Sequence, residues 1–310
     1  MPPNRASPNQ LNLKPSPHKA ARSDATNSPG LDTTQQTALN NGTSPGDPMR
    51  WIASIAAFVL MLSPALAITI EERPELAHHF KTAGVAGVAV LYDPKTNVVT
   101  VSNRKRAETA YLPASTFKIP GALIALDTGV VKDARKDVFV HDWGKAFVPA
   151  CNADQTLATA LQHSCVPVFA KIGRMVGDER LKAALTSIGY GNAKASGEYP
   201  YWIKGDLRIT PLQQVAFLDR LRRRDLPMSA AAMQQTTDIM ELQRAGSFVL
   251  RGKTGWADLP NPDIGWLVGW AEKGDQVRVF AINIDIRENA DGAKRRAIAD
   301  AVLAEAGLAP

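Results

Sequence analysis

Apolar and polar positions along the 310-residue chain fall into distinct regimes. Residues 1–48 carry Pro, Ser, Asn, Thr and Gln without apolar periodicity. Such a stretch cannot bury enough surface to offset its ordering entropy, so disorder is expected there. An apolar run, Trp51 to Leu62, then follows Met49-Arg50 and leads into Ser63-Pro64-Ala65-Leu66-Ala67. Beyond it the pattern becomes periodic. A short helix is expected around Pro74–Thr82, then strands at Val85–Tyr92 and Val98–Asn103. The intervening Asp93-Pro94-Lys95-Thr96-Asn97 supplies turn residues, which makes the two strands a hairpin.

The middle of the chain, Ser115 to Glu241, reads helical, most clearly at Leu157–Val176, Asp178–Ile188 and Pro211–Arg224. Strands rich in β-branched and aromatic residues return at Phe248–Thr254, Gly265–Ala271 and Val277–Ile284. A last helix is expected over Ala293–Ala306. Strands at both ends with helices between predict an α/β fold of the α+β type. Its central antiparallel sheet would be flanked by helices and would carry an inserted helical lobe. The hairpins argue against a doubly wound parallel sheet.

A basic residue, a short apolar core and an A-x-A site have the form of a signal peptide over 49–67, with cleavage after Ala67 and delivery to the periplasm. The run is shorter than the roughly 18 residues that span a bilayer. No Cys follows the cleavage site, so no lipid anchor is indicated, and after cleavage no membrane association is expected. Residues 1–48 are then a polar extension or a misassigned start ahead of Met49, and 68–310 form the catalytic domain.

Charge adds an exclusion. The net charge is +6, of which +4 remains after Ile68, mild and spread out, whereas a nucleic-acid binder concentrates its basic residues on one face. The one dense run, Arg220 to Arg224, reads as a solvated helix face. No histidine or cysteine falls in a metal-ligand spacing, so no metal is expected. The adjacent His78 and His79 would point in different directions on a helix. Cys151 and Cys165 could bond in an oxidising compartment or stay as two small apolar side chains; spacing leaves both open.

Candidate chemistry centres on Pro113-Ala114-Ser115-Thr116-Phe117-Lys118. If a helix starts at Ser115, hydroxyl and amine meet one turn apart. A serine needs an adjacent base, and a lysine serves only once its proton is lost to desolvation or a nearby cation. The apolar helix beyond would bury that amine, and its first N–H groups could hold an oxyanion. The S-x-x-K spelling alone carries little weight, since Ser16–Lys19 and Ser102–Lys105 share it. Its company decides: Ser164-Cys165-Val166 in a helical stretch, then Lys253-Thr254-Gly255 at a strand end, where a cation and a hydroxyl can face a substrate carboxylate.

Penicillin-recognising serine enzymes carry S-x-x-K, S-D-N and K-T-G in that order. The S-x-V spelling in the middle departs from that set, and on it the chain resembles the class D, or oxacillinase-type, serine β-lactamases. Tyr190-Gly191-Asn192, Tyr201-Trp202-Ile203-Lys204-Gly205 and Gly265-Trp266-Leu267-Val268-Gly269-Trp270 match further motifs of that family. The resemblance implies the serine β-lactamase and penicillin-binding-protein fold and hydrolysis of β-lactams, with Ser115 as nucleophile. It also implies that Lys118 takes up carbon dioxide as a carbamate base, supported by Trp202 and packed by Val166, with no other cofactor.

In the same pattern Ser164 relays a proton and Lys253 gives electrostatic support. The N–H groups of Ser115 and Trp256 hold the oxyanion, while Thr254, Gly255 and an arginine, Arg295 or its neighbour Arg296, bind the substrate. Tyr190-Gly191-Asn192 reads as scaffolding, and the loop Ala257–Ile264 should border the site. Two alternatives share these motifs. A slowly deacylating penicillin-binding protein or DD-peptidase is one; a β-lactam sensor domain, which needs several membrane helices, is the other.

Overall fold

A computed structural model describes residues 68–258 and 261–310. The extension at 1–48, the signal peptide at 49–67 and its cleavage site lie outside the described residues. In chain order the elements are β1 (Thr69–Glu72), α1 (Ala77–Ala83), β2 (Gly87–Asp93), β3 (Val98–Val101), α2 (Arg104–Ala107) and α3 (Lys118–Asp127). Next come β4 (Val138–Phe139), β5 (Gln155–Thr156), α4 (Leu157–Gln162), α5 (Val166–Val176), α6 (Asp178–Ser187), α7 (Pro211–Arg222) and α8 (Ala230–Ile239). The chain closes with β6 (Glu241–Ala245), β7 (Phe248–Ala257), β8 (Asp263–Lys273), β9 (Gln276–Ile286) and α9 (Asp291–Glu305).

The main sheet has the order β1-β3-β2-β9-β8-β7-β6, so N- and C-terminal strands share one sheet. Its pairs are antiparallel with one exception. β1 runs parallel to β3, with Thr69 opposite Val98 and Glu72 opposite Val101. That edge corrects the antiparallel expectation: a short, mostly exposed TIEE strand has no apolar alternation to reveal it.

The sheet is covered on both faces. Along β2, Val88 and Val90 join the core that includes Phe117, Leu123 and Val215, while Ala89 and Leu91 pack with Phe80, Ile298 and Val302. This is the period-two alternation of a strand. In β8 every residue from Ile264 to Ala271 is buried, which explains why it reads as a continuous apolar run. α7 covers one face, and α1 and α9 cover the other. α7 starts where its sequence says it should. Thr210 and Gln213 form a reciprocal capping box, and Pro211 occupies the first turn, where no N–H is missed.

Several helical expectations need correction. The segment 157–176 is two helices, not one. Ser164 takes a left-handed conformation (φ 62°) after α4, with Ser164 N–H donating to Leu161 O at 3.2 Å and Cys165 N–H to Ala160 O at 2.8 Å. This is the Schellman pattern, which usually places Gly where Ser164 stands, so the helix end was hidden. The middle also holds the β4–β5 pair, and no helix lies between α6 and α7. Helix α8 and strand β6 were not anticipated individually. The arginine run is only partly solvated: Arg222 and Arg223 pair with the buried Asp219, and Arg220 donates to Ile188 O at 3.0 Å. Cys151 and Cys165 are disulfide-bonded, with their Cα atoms 5.5 Å apart.

Candidate active site

The helix expected from Ser115 begins three residues later. Ala114–Phe117 form a 3-10 turn that leads into α3 at Lys118. Ala114 has φ 49°, a left-handed conformation that costs a residue with a Cβ about 1–2 kcal/mol. Tertiary bonds hold it. Ala114 N–H donates to Trp202 O at 2.9 Å, and Trp266 Nε1 donates to Leu112 O at 2.9 Å. Thr116 Oγ1 donates to Pro113 O at 2.7 Å and accepts from the buried Gln214 Nε2 at 2.8 Å. Ser115, half-buried, is thereby presented on a fixed turn.

Lys118 opens a helix whose residues are buried through Leu126, and its own exposure is 0%. Its Nζ lies 2.8 Å from Ser115 Oγ and 5.5 Å from the centre of the Phe169 ring. Burial, and secondarily the charge of Lys253, push its pKa well below the ordinary lysine range. A neutral amine beside a hydroxyl can take that hydroxyl's proton. The pair has the geometry of a nucleophile and its base.

The facing wall is β7. Lys253 is buried and its Nζ donates to Thr254 O at 3.1 Å and Thr254 Oγ1 at 3.2 Å. Burial, with Arg295 second, lowers its pKa to about 7. Gly255 suits the close approach here, since a Cβ would meet Pro113 O and Thr116 Cγ2 at a tight 3.1 Å. Gly252 N–H donates to Met240 O, on the side away from β8. Alternation along the strand then turns the N–H groups of Thr254 and Trp256 to that same edge.

Of the two candidate arginines, Arg295 reaches β7. Its Nη1 donates to Gly255 O, its Nε donates to Gly292 O at 2.6 Å, and its guanidinium sits 5.6 Å from the Trp256 ring centre. Burial lowers its pKa to about 10. Arg296 is tied instead to Asp300 and Gln243. Trp256 Nε1 donates to Asp263 Oδ2 at 2.8 Å, which joins the two ends of the loop after β7.

Trp202 has 0% exposure and stacks on Phe117 with 4.5 Å between centroids and 9° between planes. Its Nε1 is buried without a hydrogen-bond partner. Val166 opens α5, half-buried, one turn before Phe169 on the same helix face. Ser164 follows α4, whose Leu161 and Gln162 line a cavity of about 420 Å³ together with Lys253 and Thr254. The contacts recorded for Tyr190 and Asn192 lie within the fold. Tyr190 packs edge-on against Phe117 and Phe217, and Asn192 bonds Asp206 O and Arg208 N–H.

Sequence reasoning missed Thr116, Gln214 and Phe169, which shape the nucleophile turn and its pocket. Gln213 and Gln214 are adjacent, and nothing local tells the capping residue from the buried one. The two histidines also differ from expectation. The rings of His78 and His79 are 3.8 Å apart, and both lie near Glu305 on the α1–α9 face. His79 Nε2 is 2.8 Å from Glu305 Oε2, with Arg73 also 3.8 Å from that carboxylate.

The penicillin binding protein transpeptidase domain family matches residues 87–304. Beta-lactamase OXA-5 of Pseudomonas aeruginosa is 37% identical over 264 residues, covering 84% of this chain and 98% of its own. Beta-lactamase OXA-48 of Klebsiella pneumoniae is 36% identical over 266 residues, covering 84% of this chain and 100% of its own. The chain belongs to the class D β-lactamase family. Its fold agrees. The class D β-lactamase YbXI from Nostoc superposes with a TM-score of 0.73 at 37% identity, over 75% of this chain and 98% of that one. The class D enzyme FUS-1 (OXA-85) of Fusobacterium nucleatum subsp. polymorphum gives 0.74 at 34% identity, over 77% and 99%. As a class D β-lactamase, this protein is a hydrolase of β-lactams. Among its described residues no helix is long and apolar enough to cross a membrane.

Proposed function

We propose that this class D enzyme opens β-lactams through an acyl-enzyme on Ser115, with the Lys118 side chain as the base. The observation that carries the reading is the 2.8 Å contact between Ser115 Oγ and an amine at 0% exposure. In acylation Ser115 Oγ attacks the lactam carbonyl carbon as its proton passes to the Lys118 side chain. The carbonyl oxygen, now negative, is held by the N–H groups of Ser115 and Trp256. As the ring C–N bond breaks, Ser164 delivers a proton to the departing nitrogen and is reprotonated by the one the Lys118 side chain took up, while Lys253 offsets developing charge. Water then attacks the ester carbonyl as its proton passes to the Lys118 side chain, and that proton returns to Ser115 Oγ as the ester C–O bond breaks. Thr254 and Arg295 bind the substrate carboxylate, for which a planar guanidinium is well suited. Gly255 lets the strand lie close to the nucleophile turn, and Val166, at the start of the helix that carries Phe169, would pack beside the Lys118 side chain.

Lys118 also suits addition of carbon dioxide, because only a neutral amine adds to it and burial favours the neutral form of this amine. Trp202, with its buried, unpartnered donor-only N–H, is the residue to hold a carbamate there. The carbamate would supply a stronger general base for both halves of the reaction. The leader Met49 to Ala67 would deliver the enzyme to the periplasm, an oxidising compartment that suits the Cys151–Cys165 bond.

The test is turnover of a chromogenic cephalosporin by the purified protein, with and without added bicarbonate, beside Lys118→Ala. Turnover should rise with bicarbonate, and the variant should accumulate an acyl-enzyme visible by mass. Stoichiometric labelling of wild type without turnover would instead favour a slowly deacylating penicillin-binding protein. Normal turnover by Lys118→Ala would refute the base.

A further inference from the structure

We infer that the Cys151–Cys165 disulfide is a positioning element of the active site, one that holds Ser164 in its working conformation. The inference rests on the role proposed above for Ser164. Cys165 lies between Ser164 and Val166, and both cysteines are buried, at 0% and 1% exposure. Ser164 occupies the left-handed region (φ 62°), where a residue with a Cβ is disfavoured. Something must over-determine that conformation. Two backbone hydrogen bonds at the end of α4 contribute, from Ser164 N–H and Cys165 N–H.

On the other side, the start of α5 lacks the usual side-chain help. Cys165 is its N-cap residue, and no side-chain hydrogen bond caps the helix. Ser, Thr, Asp or Asn ordinarily stands there and bonds a free N–H. Here the side chain is bonded covalently to Cys151 instead.

Cys151 is itself well anchored. Its N–H donates to Val148 O at 2.9 Å, and its carbonyl accepts from Trp143 Nε1 at 2.9 Å. Asn152 Oδ1 accepts from Ala146 N–H at 2.6 Å, and Asp142 pairs with Lys171 of α5 at 2.6 Å. Residues 142–152 therefore form a strap joined to α5 at Lys171 and to its N-cap at Cys165. The strap fixes the residue immediately after Ser164, which leaves the serine backbone little freedom to relax toward the helical region. Loss of the bond would free that backbone without removing any group that touches substrate.

The test compares full-chain wild type with Cys151→Ala, Cys165→Ala and the double variant. Acylation is read with a fluorescent penicillin, and kcat, KM and Tm are measured beside it. Each single variant should lose about tenfold in acylation rate and kcat, with KM within about twofold. The double variant should lose no more than the singles, because one bond is removed in all three. Leu303→Ala, a buried change on the α9 face, serves as the stability control: it should lower Tm and leave kcat at 25 °C intact.

Wild-type kcat in the cysteine variants would overturn the inference, as would an equal kcat loss in Leu303→Ala at matched Tm. If the variants fail to fold, the folded wild type is reduced with a phosphine, which takes oxygen from water as two thiols form. The same acylation assay then reads the effect. A wild type that labels without turning over would refute the hydrolytic reading, while the acylation rates still decide this one. Failure to label would refute both.

Discussion

Trp202 lies flat against Phe117, 4.5 Å between ring centroids, while its carbonyl receives the N–H of Ala114. One residue therefore braces the nucleophile turn through both its ring and its backbone, and its indole N–H is left without a partner. Trp202→Phe retains a ring for stacking and the backbone bond, and deletes only the donor and some volume. A hydrogen bond to a charged group contributes about 1.5–3 kcal/mol, so turnover should fall roughly ten- to a hundredfold. Added bicarbonate should restore part of it. An unchanged rate in air-equilibrated buffer, with Tm retained, would remove the indole from the mechanism.

Lys253 sets opposite pH dependences for stability and rate. Its pKa is about 7 in the folded protein, against about 10.4 in an unfolded chain. Between those values the unfolded state binds more protons, so stability rises with pH from about 7 to about 10. Below about 7 the amine is charged in both states, and the cost of burying that charge is fully present. Thermal melts should therefore show a higher Tm at pH 9 than at pH 6.5, and Lys253→Met should flatten that rise. Burial lowers the pKa of Lys118 as well, so it acts in the same direction. Acylation should decline around pH 7, at the start of that interval, as folded Lys253 loses its charge. A wild-type Tm that falls with pH across this range would contradict the assignment.

Arg295 and Arg296 are adjacent in sequence and differ in reach. Arg295→Ala should raise KM for a carboxylate-bearing β-lactam about ten- to a hundredfold, the scale of a charged hydrogen bond. Arg296→Ala should stay within about twofold, since its partners, Asp300 and Gln243, lie outside the proposed binding groups. Steady-state kinetics on both variants separates them. Equal effects would shift the carboxylate site away from Arg295.

Gln214 is buried at 1% exposure and donates to Thr116 Oγ1 at 2.8 Å. Gln214→Leu leaves that hydroxyl short of a donor in the core, at a cost of about 1–3 kcal/mol. For a domain of this size each kcal/mol lowers Tm by about 2–4 °C. The turn bearing Ser115 loses a restraint as well, so acylation should slow more than KM changes. If Tm falls and acylation does not, Gln214 supports only the fold. Thr116→Val, with Gln214→Leu on and off, gives the coupling energy of the pair.

Much of the site was legible because its residues announce themselves by type and spacing. Ser115 and Lys118 stand three apart, and Lys253-Thr254-Gly255 ends an apolar strand. Near a helix start, spacing alone brings hydroxyl and amine together, and the 3-10 turn changed only how they meet. The break after α4 was not legible, because Ser164 stands where a left-handed glycine usually marks a helix end. Strand β1 escaped for a similar reason: it is short, polar and at an edge.

The sequence by itself determined the motif set, the placing of strands toward both ends with helices between, and hence the class D reading. Those depend on residue identity and on periods of two and 3.6, which are local properties. Tertiary structure alone decided that Cys151 meets Cys165 and that Arg295, not Arg296, reaches Gly255. It also decided that Gln214 and Trp202 brace the nucleophile turn, and that Lys118 is fully buried, which lowers its pKa. Each of these is a contact between residues distant in sequence, or a burial produced by several elements together. Local pattern carries no record of either.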